Sequence, residues 1–196
     1  MVRDVLCYPQ PLLKQRCAEV DEGGATRVAR DLVETMRAHP GCVGLAAPQI
    51  GEAVRVAVVD VSGHRFTTSS NGLLVLVNPE IVERSGHEIR REGCLSLPHI
   101  TADVARATRV RVTAMGVEQL WSEGYEARAI QHEIDHLDGV LILDRVASAH
   151  ALHPRKTPAL APTPAAEAAR LVVGRVTEVE AERSSGEIDE LMEAIA

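Results

Sequence analysis

The chain has 196 residues, of which 45% are hydrophobic and 25% are charged, and its formal net charge is −7. A chain of this size can bury one substantial core. The net negative charge and the lack of a dense basic cluster argue against a surface that follows nucleic-acid phosphates, so DNA is not an expected partner. Four scattered cysteines, with no recognisable signal peptide or membrane-length apolar run, predict a cytoplasmic protein that does not enter membranes.

The apolar pattern predicts a mixed α+β domain. Residues 1–24 are expected to be irregular, with the Gly23-Gly24 pair as a break. Val28, Leu32 and Met36 then fall on one face of a helix over 25–38. Valine-rich runs predict strands over 53–61, 73–77, 81–82 and 109–113. Too few helices alternate with these strands for a parallel sheet, so an antiparallel arrangement is expected.

Two loops of unusual composition lie between these elements. Residues 44–51 read Gly-Leu-Ala-Ala-Pro-Gln-Ile-Gly, and small residues let a backbone approach closely. Taken alone, this segment favours a tight turn before a strand. In residues 92–98, Cys94 lies between Gly93 and Pro98. These two residues predict a constrained, extended backbone that aims the sulfur and exposes the amide of Leu95.

The third unusual segment places His132, Glu133 and His136 on one helix. Residues four apart share a helical face, so the two imidazoles point to the same side, with Glu133 beside them. Ser122 is a plausible N-cap, and Gly139 suits the left-handed position at the C-terminus. Two histidines with an intervening glutamate are typical of metal-assisted hydrolysis.

Composition changes after about residue 148. Residues 149–164 are rich in proline and alanine and are predicted to be an extended linker. Residues 165–196 hold eight acidic and three basic residues and are compatible with one or two helices. We therefore expect a catalytic domain over 1–148, followed by a linker and an acidic tail.

Together, the three segments resemble the peptide deformylase family in order and approximate spacing, and the resemblance covers roughly residues 1–148. It implies antiparallel β-sheets packed around a central metal-binding helix. It also implies an enzyme that removes the formyl group from the N-terminal formyl-methionine of newly made proteins and releases formate. N-formylmethionyl nascent peptides are then the partners, whereas the acidic tail is a poor match to a ribosomal RNA surface.

The chemistry of the residues agrees with the resemblance. Cys94, His132 and His136 make a three-ligand set that leaves one position for water, which the metal acidifies. Glu133 is expected to be the general base and then the general acid. The side-chain amide of Gln49 and the backbone N–H of Leu95 are the candidate donors to the developing oxyanion, as the resemblance also implies. The ligand types suit one divalent ion, Zn²⁺ or Fe²⁺, and the resemblance favours Fe²⁺.

Substrate contacts follow from small and apolar residues near these groups. Main-chain pairing with the peptide is predicted at Gly44 and Gly93. A pocket for the methionine side chain is predicted to be walled by Val43, Tyr125 and Ala129, together with the ring of His132.

Supporting positions are also implied by the resemblance. Glu92 and Arg106 match positions that form an ion pair in relatives, whereas Asp135 is interpreted as a solvated helix residue. Thr101 and Ala105 depart from the family pattern and bear on peptide affinity.

Two other readings are open. A zincin-type metallopeptidase shares the His-Glu-x-x-His pattern but takes its third ligand downstream, which the upstream Cys94 disfavours. A binding module with a structural metal normally has four protein ligands, and no fourth ligand is apparent.

Overall fold

The computed structural model describes residues 1–155. The two α-helices are α1 (Glu22–Ala38) and α2 (Gly124–Leu137). Short 3₁₀ helices occupy Pro11–Lys14, Ala47–Ile50 and Ile142–Asp144. The strands in chain order are β1 (Gly44–Ala46), β2 (Val56–Val59), β3 (Leu74–Val77), β4 (Glu80–Ser85), β5 (Glu88–Cys94), β6 (Leu97–Arg106), β7 (Arg109–Ala114), β8 (Val117–Glu123) and β9 (Leu152–Pro154).

Nine strands form three antiparallel sheets within the described residues. Their orders are β1-β2-β3, β4-β7-β8 and β5-β6-β9. The hairpin of β5 and β6 is long, and its register shifts between Gly93 and Cys94, so that Cys94 pairs with Leu97. Such an irregularity bends the strand and re-aims the side chains beside it. The predicted α+β class with antiparallel sheets is therefore confirmed.

The second helix lies at the centre of the fold. Ala127, Ile130 and Ile134 of α2 are buried in one apolar cluster with residues of β2, β3 and β7. A second cluster joins α1 to β1, β2 and β3, and a third joins the β5–β6 hairpin to the segment after α2. Because α2 is packed on several sides, its polar side chains at 132, 133 and 136 are held in fixed positions.

The ends of both helices differ from the sequence-based prediction at the N-terminal side. Helix α1 begins at Glu22, because the Asp21 side chain accepts a hydrogen bond from the N–H of Gly24 at 2.8 Å and caps the helix. Gly23 and Gly24 are therefore helical, and the break predicted there is wrong.

Ser122 is not the N-cap of α2. The cap is Glu123, while Ser122 belongs to β8 and donates its hydroxyl to Glu126 at 2.7 Å. The prediction for Gly139 is confirmed, since its φ is +72° just after the helix. The backbone of Lys14 lies close to Gly139. A Cβ at position 139 would be 2.7 Å from the carbonyl carbon of Lys14.

Regular secondary structure continues beyond residue 148 in the described part of the chain. Strand β9 pairs with β6, with Ala102 opposite Leu152 and Ile100 opposite Pro154, and Ala151 is buried. The division into a domain, a linker and a tail remains a prediction, and most of the linker and the whole tail lie outside the described residues. No helix within residues 1–155 is both long enough and apolar enough to cross a membrane.

Candidate metal centre and active site

Two separate parts of the fold bring three side chains to one point. Cys94 ends β5, and His132 and His136 lie on successive turns of α2. Cys94 Sγ lies 3.3 Å from His136 Nε2, and the two imidazole centroids are 5.1 Å apart. One ligand atom from each of the three side chains lies within 4.8 Å of the other two. The predicted ligand set is thus assembled, although its members are up to 42 residues apart.

The ring of His132 is oriented by a buried carboxylate. His132 Nδ1 and Glu92 Oε2 are 2.9 Å apart, so His132 turns its other nitrogen towards Cys94. A carboxylate behind a metal-binding imidazole fixes the ring and its tautomer. Glu92 is therefore a positioning residue for the ligand set.

Glu92 is itself held by two arginines. Arg106 donates to both of its oxygens, at 3.0 and 3.1 Å, and Arg128 donates at 2.7 Å. Burial alone would raise the pKa of Glu92, but hydrogen bonding and charge from His132 and Arg106 bring that pKa well below its ordinary value. The ion pair of Glu92 with Arg106 that the resemblance implied is confirmed.

The interpretation of Asp135 as a solvated residue is wrong. Asp135 is buried, accepts a short hydrogen bond from Arg106, and accepts two from Arg145, at 2.8 and 3.1 Å. It therefore joins the ion network behind the ligands, which a sequence pattern around one helix does not reveal.

The electrostatics around Cys94 favour its thiolate form. Burial would raise the pKa of the thiol, but the adjacent imidazoles of His136 and His132 bring that pKa well below its ordinary value. Conversely, burial would lower the pKa of His132, and hydrogen bonding to Cys94 and Glu92 raises it. A thiolate is the form of cysteine that binds a metal, so the residues around Cys94 prepare it for that role.

Glu133 lies beside the ligand set in an enclosed space. Burial is the largest influence on the carboxyl and raises its pKa to about 7. Its Oε2 atom is buried and has no hydrogen-bond partner among residues 1–155. Gly44 of β1 faces it so closely that a Cβ at that position would lie 2.5 Å from Oε1. A side chain at position 44 would therefore displace the carboxylate of Glu133.

Gln49 approaches the same point from the 3₁₀ helix after β1. Its Oε1 accepts from the N–H of Ala46 at 2.9 Å, which fixes the amide. Its Nε2 lies 3.7 Å from Cys94 Sγ and 3.2 Å from Ser96 Oγ. The segment around Gln49 was expected to be a turn before a strand, but it contains a strand of its own and a helical turn that aims this side chain.

One cavity of about 550 Å³ collects the predicted residues. It is lined by every predicted catalytic, substrate-binding and metal-binding residue except His136, which is buried behind Cys94: Val43, Gly44, Gln49, Gly93, Cys94, Leu95, Tyr125, Ala129, His132 and Glu133. Their convergence is established by the structure, whereas their individual roles remain predictions.

The cavity also has walls that the sequence analysis missed. His64 stacks on Tyr125 with ring centroids 4.4 Å apart, and Phe66 meets the same ring edge-on at 5.8 Å. Both lie in the loop between β2 and β3, outside every helix and strand. The signal available there was the single phenylalanine of the chain, exposed in that loop. Arg155, from the end of the described chain, also lines the cavity.

The residues present fit a divalent metal ion. One sulfur and two imidazole nitrogens suit Zn²⁺ or Fe²⁺, and a three-residue set leaves a position open, as catalytic sites do. The partnerless Oε2 of buried Glu133 is the kind of orphaned polar atom that an ion with its water would satisfy. The upstream Cys94 supplies the third ligand group, which argues against the zincin-type reading.

This arrangement defines a metal-dependent hydrolase with a Cys-His-His ligand set and a neighbouring glutamate. Residues 2–151 match the family described as "Polypeptide deformylase". The chain belongs to the polypeptide deformylase family.

Relatives named peptide deformylase are similar to this chain in sequence over most of their own length. The peptide deformylase of Dictyoglomus thermophilum is 42% identical over 151 residues, which are 74% of this chain and 93% of that protein. The enzyme of Acidobacterium capsulatum is 43% identical over 154 residues, 76% of this chain and 88% of the relative.

Solved structures of peptide deformylases have the same fold as this chain. The Thermotoga maritima peptide deformylase superposes with a TM-score of 0.64 at 37% identity, covering 76% of this chain and 99% of that one. A class I type b enzyme from Acinetobacter baumannii was crystallised with Met-Ala-Ser bound. It superposes with a TM-score of 0.66 at 32% identity, and the match covers 74% of this chain and 99% of that one.

Proposed function

We propose that this peptide deformylase hydrolyses the N-formyl group of peptides that begin with formyl-methionine and releases formate. The observation that carries the proposal is the convergence of Cys94, His132, His136 and Glu133 at one cavity. The binding of Met-Ala-Ser to the A. baumannii relative supports a methionyl peptide as the ligand class.

A divalent ion held by Cys94, His132 and His136 would acidify a water molecule, so that hydroxide is available near neutral pH. Glu133 takes up the proton released when water adds to the formyl carbon. It then delivers a proton to the amine nitrogen as the C–N bond breaks, which leaves formate and a free N-terminus. A pKa of about 7 suits both directions of this transfer.

Attack on the formyl carbon places negative charge on the carbonyl oxygen. Gln49 Nε2 and the backbone N–H of Leu95 are assigned as the donors to this oxygen. Gln49 supports the assignment because its other amide atom is anchored on Ala46, so the donor is preorganised. Removal of one such donor typically costs about 10²-fold to 10³-fold in rate.

The substrate occupies the rest of the cavity in this proposal. The peptide main chain is assigned to pair with the backbone at the two strand ends that carry Gly44 and Gly93. Val43, Tyr125 and Ala129 form an apolar wall for the methionine side chain, and all three line the cavity.

Iron is proposed as the ion used for activity. The ligand set suits Fe²⁺ and Zn²⁺ alike, and the family resemblance favours Fe²⁺. Anaerobic purification followed by metal analysis and activity per metal tests the choice. Full activity of an air-exposed zinc form would contradict it.

The decisive functional test is formate release from formyl-Met-Ala-Ser, with and without a chelator. We expect release that stops when the metal is removed. The isosteric Glu133→Gln variant separates the enzyme from a binding module with a structural metal, because it should keep the fold and the metal and lose hydrolysis. Retained hydrolysis by that variant would overturn the role of Glu133.

The cellular assignments rest on the same proposal. The expected location is the cytoplasm, where nascent formyl-methionyl chains are made. Ribosome docking through the tail has no support in its acidic composition, and the tail lies outside the described residues.

A further inference from the structure

The last strand brings an arginine into the active-site cavity. Strand β9 pairs with β6, with His153 opposite Thr101, and the N–H of Arg155 donates to the carbonyl of His99 at 2.9 Å. The backbone of Arg155 is therefore fixed at the edge of the sheet that also carries Cys94. Its side chain lines the cavity.

The guanidinium of Arg155 packs on the bare Cα of Gly93. A Cβ at Gly93 would lie 2.8 Å from Nη2 and 3.3 Å from Cζ of Arg155. Gly93 immediately precedes the metal ligand Cys94 and is one of the two residues assigned to the peptide main chain. The cation thus lies next to the path proposed for the substrate.

Arg155 differs from two of the three other arginines that line the cavity. Arg91 is engaged by Asp103 at 3.0 Å, and Arg128 by Glu92 at 2.7 Å. In contrast, Nη1 of Arg155 is buried and meets no hydrogen-bond partner among the residues that the structure describes. A buried donor without an acceptor is costly, so a ligand that offers an oxygen at this point is stabilised.

We propose that Arg155 binds the substrate by donating hydrogen bonds to a main-chain carbonyl oxygen of the formylated peptide. This inference rests on the proposed function. A nascent chain offers a main-chain carbonyl oxygen at every residue, whereas a carboxylate near its N-terminus requires an Asp or Glu side chain, so the carbonyl is the acceptor that every natural substrate presents. The planar guanidinium holds its donors in a fixed fork, which suits such an acceptor better than a lysine does.

The test uses the full-length, metal-loaded protein and formyl-Met-Ala-Ser with an amidated C-terminus. In Arg155→Ala, we expect KM to rise about tenfold, equivalent to about 1.4 kcal/mol, with kcat changed less than about twofold. Equilibrium binding of the product peptide Met-Ala-Ser amide should weaken by a similar factor. The KM and the peptide affinity of Arg155→Lys should lie between those of the wild type and Arg155→Ala, because lysine keeps the positive charge and loses the forked donors.

Arg90→Ala is the matched control. Arg90 is exposed on β5, lies 2.7 Å from Glu88, and is not among the residues that line the cavity. Its removal should leave KM and peptide affinity unchanged. Unchanged thermal unfolding of the Arg155 variants would show that β9 remains in place.

Three results would overturn the assignment of Arg155. These are equal peptide affinity and KM in the wild type and Arg155→Ala, a fall in KM that shows the side chain obstructs the cavity, and an effect confined to the free-acid peptide. The absence of formate release by the wild type would contradict the proposed function, whereas the binding comparison would still decide the role of Arg155.

Discussion

Gly44→Ala tests how closely the carboxylate of Glu133 is positioned by the backbone of β1. The new methyl group would lie 2.5 Å from Glu133 Oε1 and 3.0 Å from Cδ, so the carboxylate must retreat by about 0.9 Å to reach ordinary contact at 3.4 Å. Glu133 is enclosed, with 4% of its surface exposed. A displacement of about 1 Å in a catalytic group costs about 10²-fold in rate.

We therefore expect kcat for formate release to fall about 100-fold, which corresponds to about 2.7 kcal/mol in the activation barrier. Metal content should stay the same, because the three atoms nearest the new methyl group all belong to Glu133 and none to a metal-binding residue. The assay is steady-state formate release from formyl-Met-Ala-Ser at saturating peptide, with metal analysis on the same sample.

Gly23→Ala is the matched control for this substitution. The methyl group would have no neighbour closer than 3.9 Å, on the exposed first turn of α1. Its kcat should equal that of the wild type. If Gly44→Ala kept kcat within about twofold and changed KM alone, Gly44 would contact the peptide only, and the steric argument would be refuted.

Three further substitutions or conditions give distinct readouts. Ala129→Trp should fill the methionine pocket and raise KM for formyl-Met-Ala-Ser at least about tenfold, and unchanged turnover would remove Ala129 from the pocket. Because burial raises the pKa of Glu133 to about 7, kcat/KM should drop as pH falls below about 7, and a flat profile down to about pH 5.5 would exclude Glu133 as the base. Gly139→Ala should lower the free energy of unfolding by roughly 3 kcal/mol or more, because φ of Gly139 is +72° and the new methyl group meets the Lys14 backbone. Denaturant unfolding measures this change, and an unchanged midpoint would contradict the prediction.

The chemistry of the site was accessible from sequence because its spacing is local. His132, Glu133 and His136 lie on one helix, so helical periodicity alone puts them together. Cys94 and Gln49 were found through the resemblance in their flanking residues. Their proximity is confirmed by the hairpin end and the helical turn that carry them.

Other features depend on contacts between distant parts of the chain. Strand β5 is largely exposed and carries charges along its length, so it lacks the alternating apolar pattern that identifies a strand. Asp135 meets Arg106 across 29 residues, and nothing near either residue indicates the pair. Arg155 reaches the cavity only because β9 adds to β6, in a segment whose prolines predicted a linker.

In the proposed function, one metal ion held by Cys94, His132 and His136 enables hydrolysis beside Glu133. The most direct measurement is an anaerobic titration of the metal-free protein with Fe²⁺ while formate release from formyl-Met-Ala-Ser is followed. We expect no release without metal and a linear rise that ends at about one equivalent per chain, with no such rise in Cys94→Ala. Formate release by the metal-free protein, or an undiminished rise in Cys94→Ala, would contradict it.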